Sequence, residues 1–83
     1  MDNIVIDYYT NRFGDNLSSA FIHLVREIGE IALSLEKNNE SLAKLKITES
    51  TALLQYIAYK HGFNLEEEIQ TLYSKKLNSI KEK

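Results

Sequence analysis

The sequence predicts an all-α fold: two long antiparallel helices forming a hairpin, with a short helix at each end. Three observations carry the prediction. Proline is absent from the 83 residues, and glycine occurs only at Gly14, Gly29 and Gly62, so few points force a helix to break. Apolar side chains recur three and four residues apart along the longer segments, the pattern of a helix with one buried stripe. Asparagines and glycines suited to capping and stopping helices fall between those segments.

The first helix is expected over residues 3–11. Ile4, Ile6 and Tyr8 give it a short apolar face, although the alternation is also partly strand-like, and "RFGDN" ends it. The second is expected over residues 17–37. Phe21, Leu24, Val25, Ile28, Ala32 and Leu35 form its stripe, and Asp15, Asn16 or Ser18 caps its start. "KNN" (37–39) places a cation and a left-handed asparagine at its end. The third is expected over residues 40–61, with Leu42, Leu45, Leu53, Tyr56 and Ile57 as its stripe and Gly62 as its stop. Its middle, "ITEST" (47–51), is a poor helix former that only packing holds helical. The fourth starts behind Asn64, which forms a capping-box-like pair with Glu67, and Leu65, Ile69, Leu72, Tyr73, Leu77 and Ile80 make its apolar side. The basic tail "KKLNSIKEK" is expected to fray.

Length implies one domain, residues 1–83. A core this small supplies about 3–5 kcal/mol, and with no cysteine there is neither disulfide nor thiolate metal site to add to it. Association is the common remaining route to burial. Ile22, Leu33, Tyr56 and Tyr59 exceed what one hairpin covers, so a homodimer or tetramer is expected, two hairpins making a four-helix bundle. With 43% hydrophobic and 27% charged residues the composition is that of a folded soluble protein, and a net charge of -2 offers no general attraction to DNA, RNA or anionic membrane. No apolar run reaches the ~18 residues of a membrane span. The start "MDNIVIDYY" has no basic signal region, so a cytoplasmic location is the expectation.

The second helix carries a strip of chemistry. At about 100° per residue, His23, Glu27, Glu30 and Ser34 fall within roughly 60° of one another, with apolar surface on both sides. Such carboxylates are either an ordinary solvated face with an Arg26–Glu30 ion pair, or a partly buried set that needs cations. On the third helix Glu49 lies among Leu42, Leu45, Leu53 and Tyr56, with Lys46 nearby. That pair is either a local salt bridge or the facing half of one acidic site. A Mg²⁺ site requires the second arrangement, since its near-octahedral shell draws oxygens from more than one element.

These segments resemble the MazG-like nucleotide pyrophosphohydrolases, an all-α group. That family has Glu-Glu-x-x-Glu on one helix and Glu-x-x-Asp on the next, antiparallel one. Here "REIGE" (26–30) and "KITE" (46–49) stand in those places, and "YKHGFNLEEEIQ" is similar to the family's step into its last helix. The likeness runs from about Phe13 to Lys76; its motifs are short and degenerate but occur in the family's order. The resemblance implies Mg²⁺ held by Glu27, Glu30 and Glu49, and hydrolysis of a nucleoside triphosphate to the monophosphate and pyrophosphate. It also implies phosphate contacts by Lys75 and Lys76. The departures bear on that reading: Arg26 and Lys46 occupy positions where the family has glutamate, and Glu49 replaces aspartate. A charged lysine does not ligate a metal and repels one nearby.

Two functions therefore stand side by side: an Mg²⁺-dependent nucleoside triphosphate pyrophosphohydrolase, and a catalytically impaired helical oligomer that binds a nucleotide or a protein partner. His23, one turn before Glu27, is a candidate base or ligand but more often a surface histidine. His61 suits a helix C-terminus. Tyr8, Tyr9, Tyr56, Tyr59 and Tyr73 read as core or interface residues. There is no Gly-rich phosphate loop and no nucleophile triad.

Overall fold

The computed structural model describes residues 3–82 as four α-helices: α1 (Ile4–Phe13), α2 (Leu17–Glu36), α3 (Glu40–Lys60) and α4 (Leu65–Lys81). No strand occurs among the described residues. Each helix opens on an asparagine. Asn3, Asn16, Asn39 and Asn64 accept from backbone N–H groups of the following turn, satisfying donors that a helix start otherwise leaves free. The two longer helices end alike. At the "KNN" turn Asn38 takes φ 56°, and the Asn39 N–H donates to the Ser34 carbonyl at 2.8 Å. At the end of α3 Gly62 takes φ 85°, and the Phe63 N–H donates to the Ala58 carbonyl at 3.1 Å. Both are left-handed stops with the six-to-one bond that closes a helix.

α1 runs two residues beyond the expected end, to Phe13, because within "RFGDN" it is Gly14 that breaks it. α3 is continuous through "ITEST". Thr48 and Thr51 donate to the carbonyls of Lys44 and Ile47, keeping their hydroxyls satisfied on the helix surface. α4 stays helical to Lys81 rather than fraying from Lys75; Lys83, the last residue of the expected fray, lies outside the described residues, as do Met1 and Asp2.

α2 and α3 pack extensively on each other, α1 lies against both, and α4 touches only α3. The core is Tyr9, Ala20, Leu24, Leu53 and Tyr56, with Val5, Ile6, Phe13, Leu17, Ala52 and Ile57 packed around it. Tyr56 is fully buried, stacks obliquely on Tyr9 at 5.6 Å between centroids, and donates its hydroxyl to the Gly14 carbonyl. Lys60 pairs with Asp15 at 2.8 Å. The end of α3 is thereby tied to the turn before α2.

On α3 the expected Leu53, Tyr56 and Ile57 turn inward, as does Leu24 of α2; elsewhere the inward faces differ from those the periodicity marks. On α1 the inner face is Val5, Ile6, Tyr9 and Phe13, whereas Ile4 and Tyr8 are exposed. On α2 the buried residues are Ala20, Leu24, Glu27 and Ser34, while Phe21, Val25, Ile28 and Leu35 are each at least half exposed. Leu45 of α3 is likewise open, and Ile69, Leu72, Tyr73, Leu77 and Ile80 of α4 remain largely exposed. Of the residues expected to remain for an interface, Ile22, Leu33 and Tyr59 are exposed, but Tyr56 is in the core.

Candidate functional site

Glu27 and Glu30 come from the middle of α2, and Lys46 and Glu49 from the first half of α3. The packing of the two helices brings all four together. Lys46 Nζ lies 2.6 Å from Glu30 Oε2, 3.3 Å from Glu27 Oε2 and 3.3 Å from Glu49 Oε1. Glu27 is the buried member, 4% exposed, whereas Glu30 and Glu49 are more open to solvent. His23, one turn before Glu27, approaches its other oxygen at 3.5 Å and sits beside the Phe13 ring.

Both readings of Lys46–Glu49 thus hold: the pair is a local bridge, and it also faces the acidic strip of α2. The expected Arg26–Glu30 pair does not form. Arg26 is exposed and makes no ion pair among the described residues, while Glu30 turns to Lys46.

The electrostatics follow from the distances. One ammonium faces three carboxylates. Its pKa is held above the ordinary lysine value, chiefly by the hydrogen bond to Glu30, against a smaller opposing effect of desolvation, with Glu27 and Glu49 adding to the rise. Burial raises the Tyr9 phenol as well, and the nearby negative charge of Glu49 adds to it. The contacts to Glu27 and Glu49 are ion pairs without hydrogen-bond geometry, so Glu27 Oε2 and Glu49 Oε1 are buried oxygens lacking a hydrogen-bond partner.

These residues do not fit a Mg²⁺ shell as arranged. Among the described residues no group of three or more His, Cys, Asp or Glu side chains is placed to hold a metal ion. The space where the three carboxylates converge is taken by Lys46 Nζ, a full positive charge within 3.3 Å of each. The two orphaned oxygens are acceptors a cation would satisfy, but only if that ammonium moved away.

Lys75 and Lys76 are on α4, which makes no contact with α2. They are not gathered with Glu27 and Glu30. Lys76 lies over the Tyr73 ring at 4.9 Å. His61 is the exposed cap at the end of α3. The grooves bordered by Tyr59, Phe63 and Leu65, and by Leu35, Ala43 and Ile47, include none of the four charged residues. Comparison with protein-family models, with curated proteins and with solved structures finds no match for the chain.

Proposed function

We propose that the chain is a MazG-like helical protein in which α2 and α3 form an antiparallel hairpin, and in which two or more hairpins associate as a four-helix bundle. Its acidic site is closed by an internal ammonium, so that it serves as an oligomeric binding module for a nucleotide or a protein partner rather than as an efficient hydrolase. The observation that carries this reading is Lys46 Nζ, within 3.3 Å of Glu27, Glu30 and Glu49 at once. The ammonium supplies the positive charge that a divalent cation supplies elsewhere, and it comes already attached to the chain.

The bundle draws support from α2. Phe21, Val25, Ile28, Ala32 and Leu35 follow alternating four- and three-residue steps, the spacing of a coiled-coil seam, and all five are exposed. An exposed apolar stripe of this kind is the usual mark of an interface.

The experiment is pyrophosphate release from a panel of standard and modified nucleoside triphosphates with Mg²⁺ or Mn²⁺. The native chain is expected to stay at background. Turnover at enzymatic rates, lost in Glu27→Gln, overturns the closed-site reading.

The hydrolytic reading remains as the second, on one observation: carboxylates from two helices converge, and two of their oxygens lack hydrogen-bond partners. It requires Lys46 to withdraw when substrate binds. It is tested by the same assay, with Lys46→Met expected to raise the rate.

A further inference from the structure

The apolar side of α4 is the largest feature that neither the core nor the acidic cluster uses. Ile69, Leu72, Tyr73, Leu77 and Ile80 are between 46% and 69% exposed, and α3 is the only helix that α4 touches. With Leu65 they occupy an arc of roughly 140° at about 100° per residue, a coherent stripe rather than scattered residues. The charges on α4 are segregated along its length. Glu66, Glu67 and Glu68 fill the first turn, while Lys75, Lys76 and Lys81 occupy the second half. Two charges fall within the same arc: Glu66 near its one end, and Lys76 between Leu65 and Ile69, its Nζ 4.9 Å from the Tyr73 ring centre.

We propose that α4 pairs antiparallel with α4 of a second copy of the chain, as an interface separate from the α2 stripe. Charge decides both the occupant and its direction. A parallel pair sets each acidic turn against its own copy and each lysine against its own copy, which is repulsive at both ends. An antiparallel pair about a two-fold axis sets the acidic half of each helix on the basic half of the other. The register follows from the stripe. With the axis level with Thr71, Leu65 meets Leu77 and Ile69 meets Tyr73, each layer occurring twice as a two-fold requires. The same register brings Glu66 level with Lys76. Leu65, Ile69, Tyr73 and Leu77 then pair with one another across the axis, while Leu72 falls level with Gln70 and Ile80 reaches past the partner's first turn; the charges brought level are opposite.

The chain has no cysteine, so single cysteines report this register without background. Ile69→Cys and Tyr73→Cys chains, mixed and mildly oxidised, are expected to give the mixed disulfide in excess over either self-disulfide. A predominance of self-disulfides means parallel pairing, and an absence of disulfide means that α4 meets α2 or a different protein; either overturns the proposal. A charge exchange covers the case in which cysteine weakens the seam. Glu66→Lys alone and Lys76→Glu alone are each expected to weaken sedimentation-measured association by roughly tenfold, and the double exchange Glu66→Lys/Lys76→Glu to restore it. Equal association in all of these overturns the register. Val25→Glu, in the α2 stripe, tests the bundle instead and is expected to leave the 69–73 disulfide yield unchanged. Loss of that disulfide in Val25→Glu shows that α4 has no interface of its own.

Discussion

Replacing Glu27 by methionine tests what the buried carboxylate contributes to the fold. Glu27 is 4% exposed, and taking an ion of this kind out of water costs several kcal/mol even after relaxation. The return is poor. Its contacts are Lys46 at 3.3 Å without hydrogen-bond geometry and His23 at 3.5 Å. The shortest contact of the ammonium, 2.6 Å, goes to Glu30 instead. Methionine is unbranched, of similar length and adaptable in an irregular space, and its introduction leaves Lys46 still paired with Glu30 and Glu49. Because Glu30 and Glu49 keep the ammonium paired, no buried charge is left uncompensated, and Glu27→Met is therefore expected to stabilise the chain by about 1–3 kcal/mol, within the range for replacing buried ion pairs by packed apolar groups. Glu30→Met removes the tightest partner from a more exposed position and is expected to cost less than about 1 kcal/mol. The assay is urea unfolding followed by helical circular dichroism, at one fixed protein concentration because association adds to apparent stability. A loss of more than about 2 kcal/mol in Glu27→Met, with an unchanged denaturant slope, would show that the ion pair supports the fold. The account of Glu27 as a carboxylate kept at the expense of stability would then be wrong.

Four further outcomes are expected. Lys46→Glu exchanges the ammonium for a fourth carboxylate; calorimetric titration is expected to show Mg²⁺ binding at least about tenfold tighter than in the native chain, while the metal-free variant melts earlier from like-charge crowding. Unchanged Mg²⁺ binding makes Lys46 a bystander. The Asp15 carboxyl is held below its usual value, first by the hydrogen bond from Lys60 and then by that cation's charge. The pair's contribution is thus present above the ordinary aspartate pKa and is lost as pH falls through the depressed one. Lys60→Met should return the Asp15 NMR titration to the usual range. Lys46, raised in the folded chain, has the opposite sign: its contribution is complete at neutral pH and disappears only as pH climbs beyond the ordinary lysine value, so an alkaline unfolding limb should shift to lower pH in Lys46→Met. Tyr56→Phe removes the hydroxyl bond to the Gly14 carbonyl that ties α3 to the turn before α2, and is expected to lower stability by about 1 kcal/mol in the same urea assay.

The punctuation of the chain was legible in its sequence, and the reason is local. Asn16, Asn64, Gly62 and the "KNN" turn act through their own backbone angles and the next turn's N–H groups, and neighbouring residues in sequence determine both. The convergence of Glu27, Glu30, Lys46 and Glu49 was legible for a related reason: a short turn between two helices makes them neighbours, and helical spacing places the side chains. Which face turns inward was legible on α3, where Leu53, Tyr56 and Ile57 lie in or against the core as expected, but only in part on α2, where Leu24 alone of the larger stripe residues is buried. Periodicity ranks faces by hydrophobicity, so it selected Phe21, Val25, Ile28 and Leu35 of α2, whereas the chain buries Ala20, Leu24, Glu27 and Ser34. The error at Tyr56 is of the same kind. A tyrosine reads as interface when its hydroxyl has no visible partner, and the partner here is a carbonyl 42 positions away in sequence.

The inverted choice of faces has a physical logic. Where α2 and α3 meet, the buried side chains include Ala20 and Ser34 from one and Ala43 and Ser50 from the other. Small side chains let two helices approach closely, but they withdraw little apolar surface from water. The bulky residues of α2 and α4 point outward, so the core within one chain is small even for its length. A fold that keeps its largest apolar groups outside gains most of its hydrophobic stabilisation from whatever covers them. If the proposed association covers them, folding and association are linked, and the melting temperature is expected to rise with protein concentration. The acidic cluster belongs to the same logic. It lies between α2 and α3, where Lys46 offsets part of its negative charge without help from a partner. The outer faces are left free to select one.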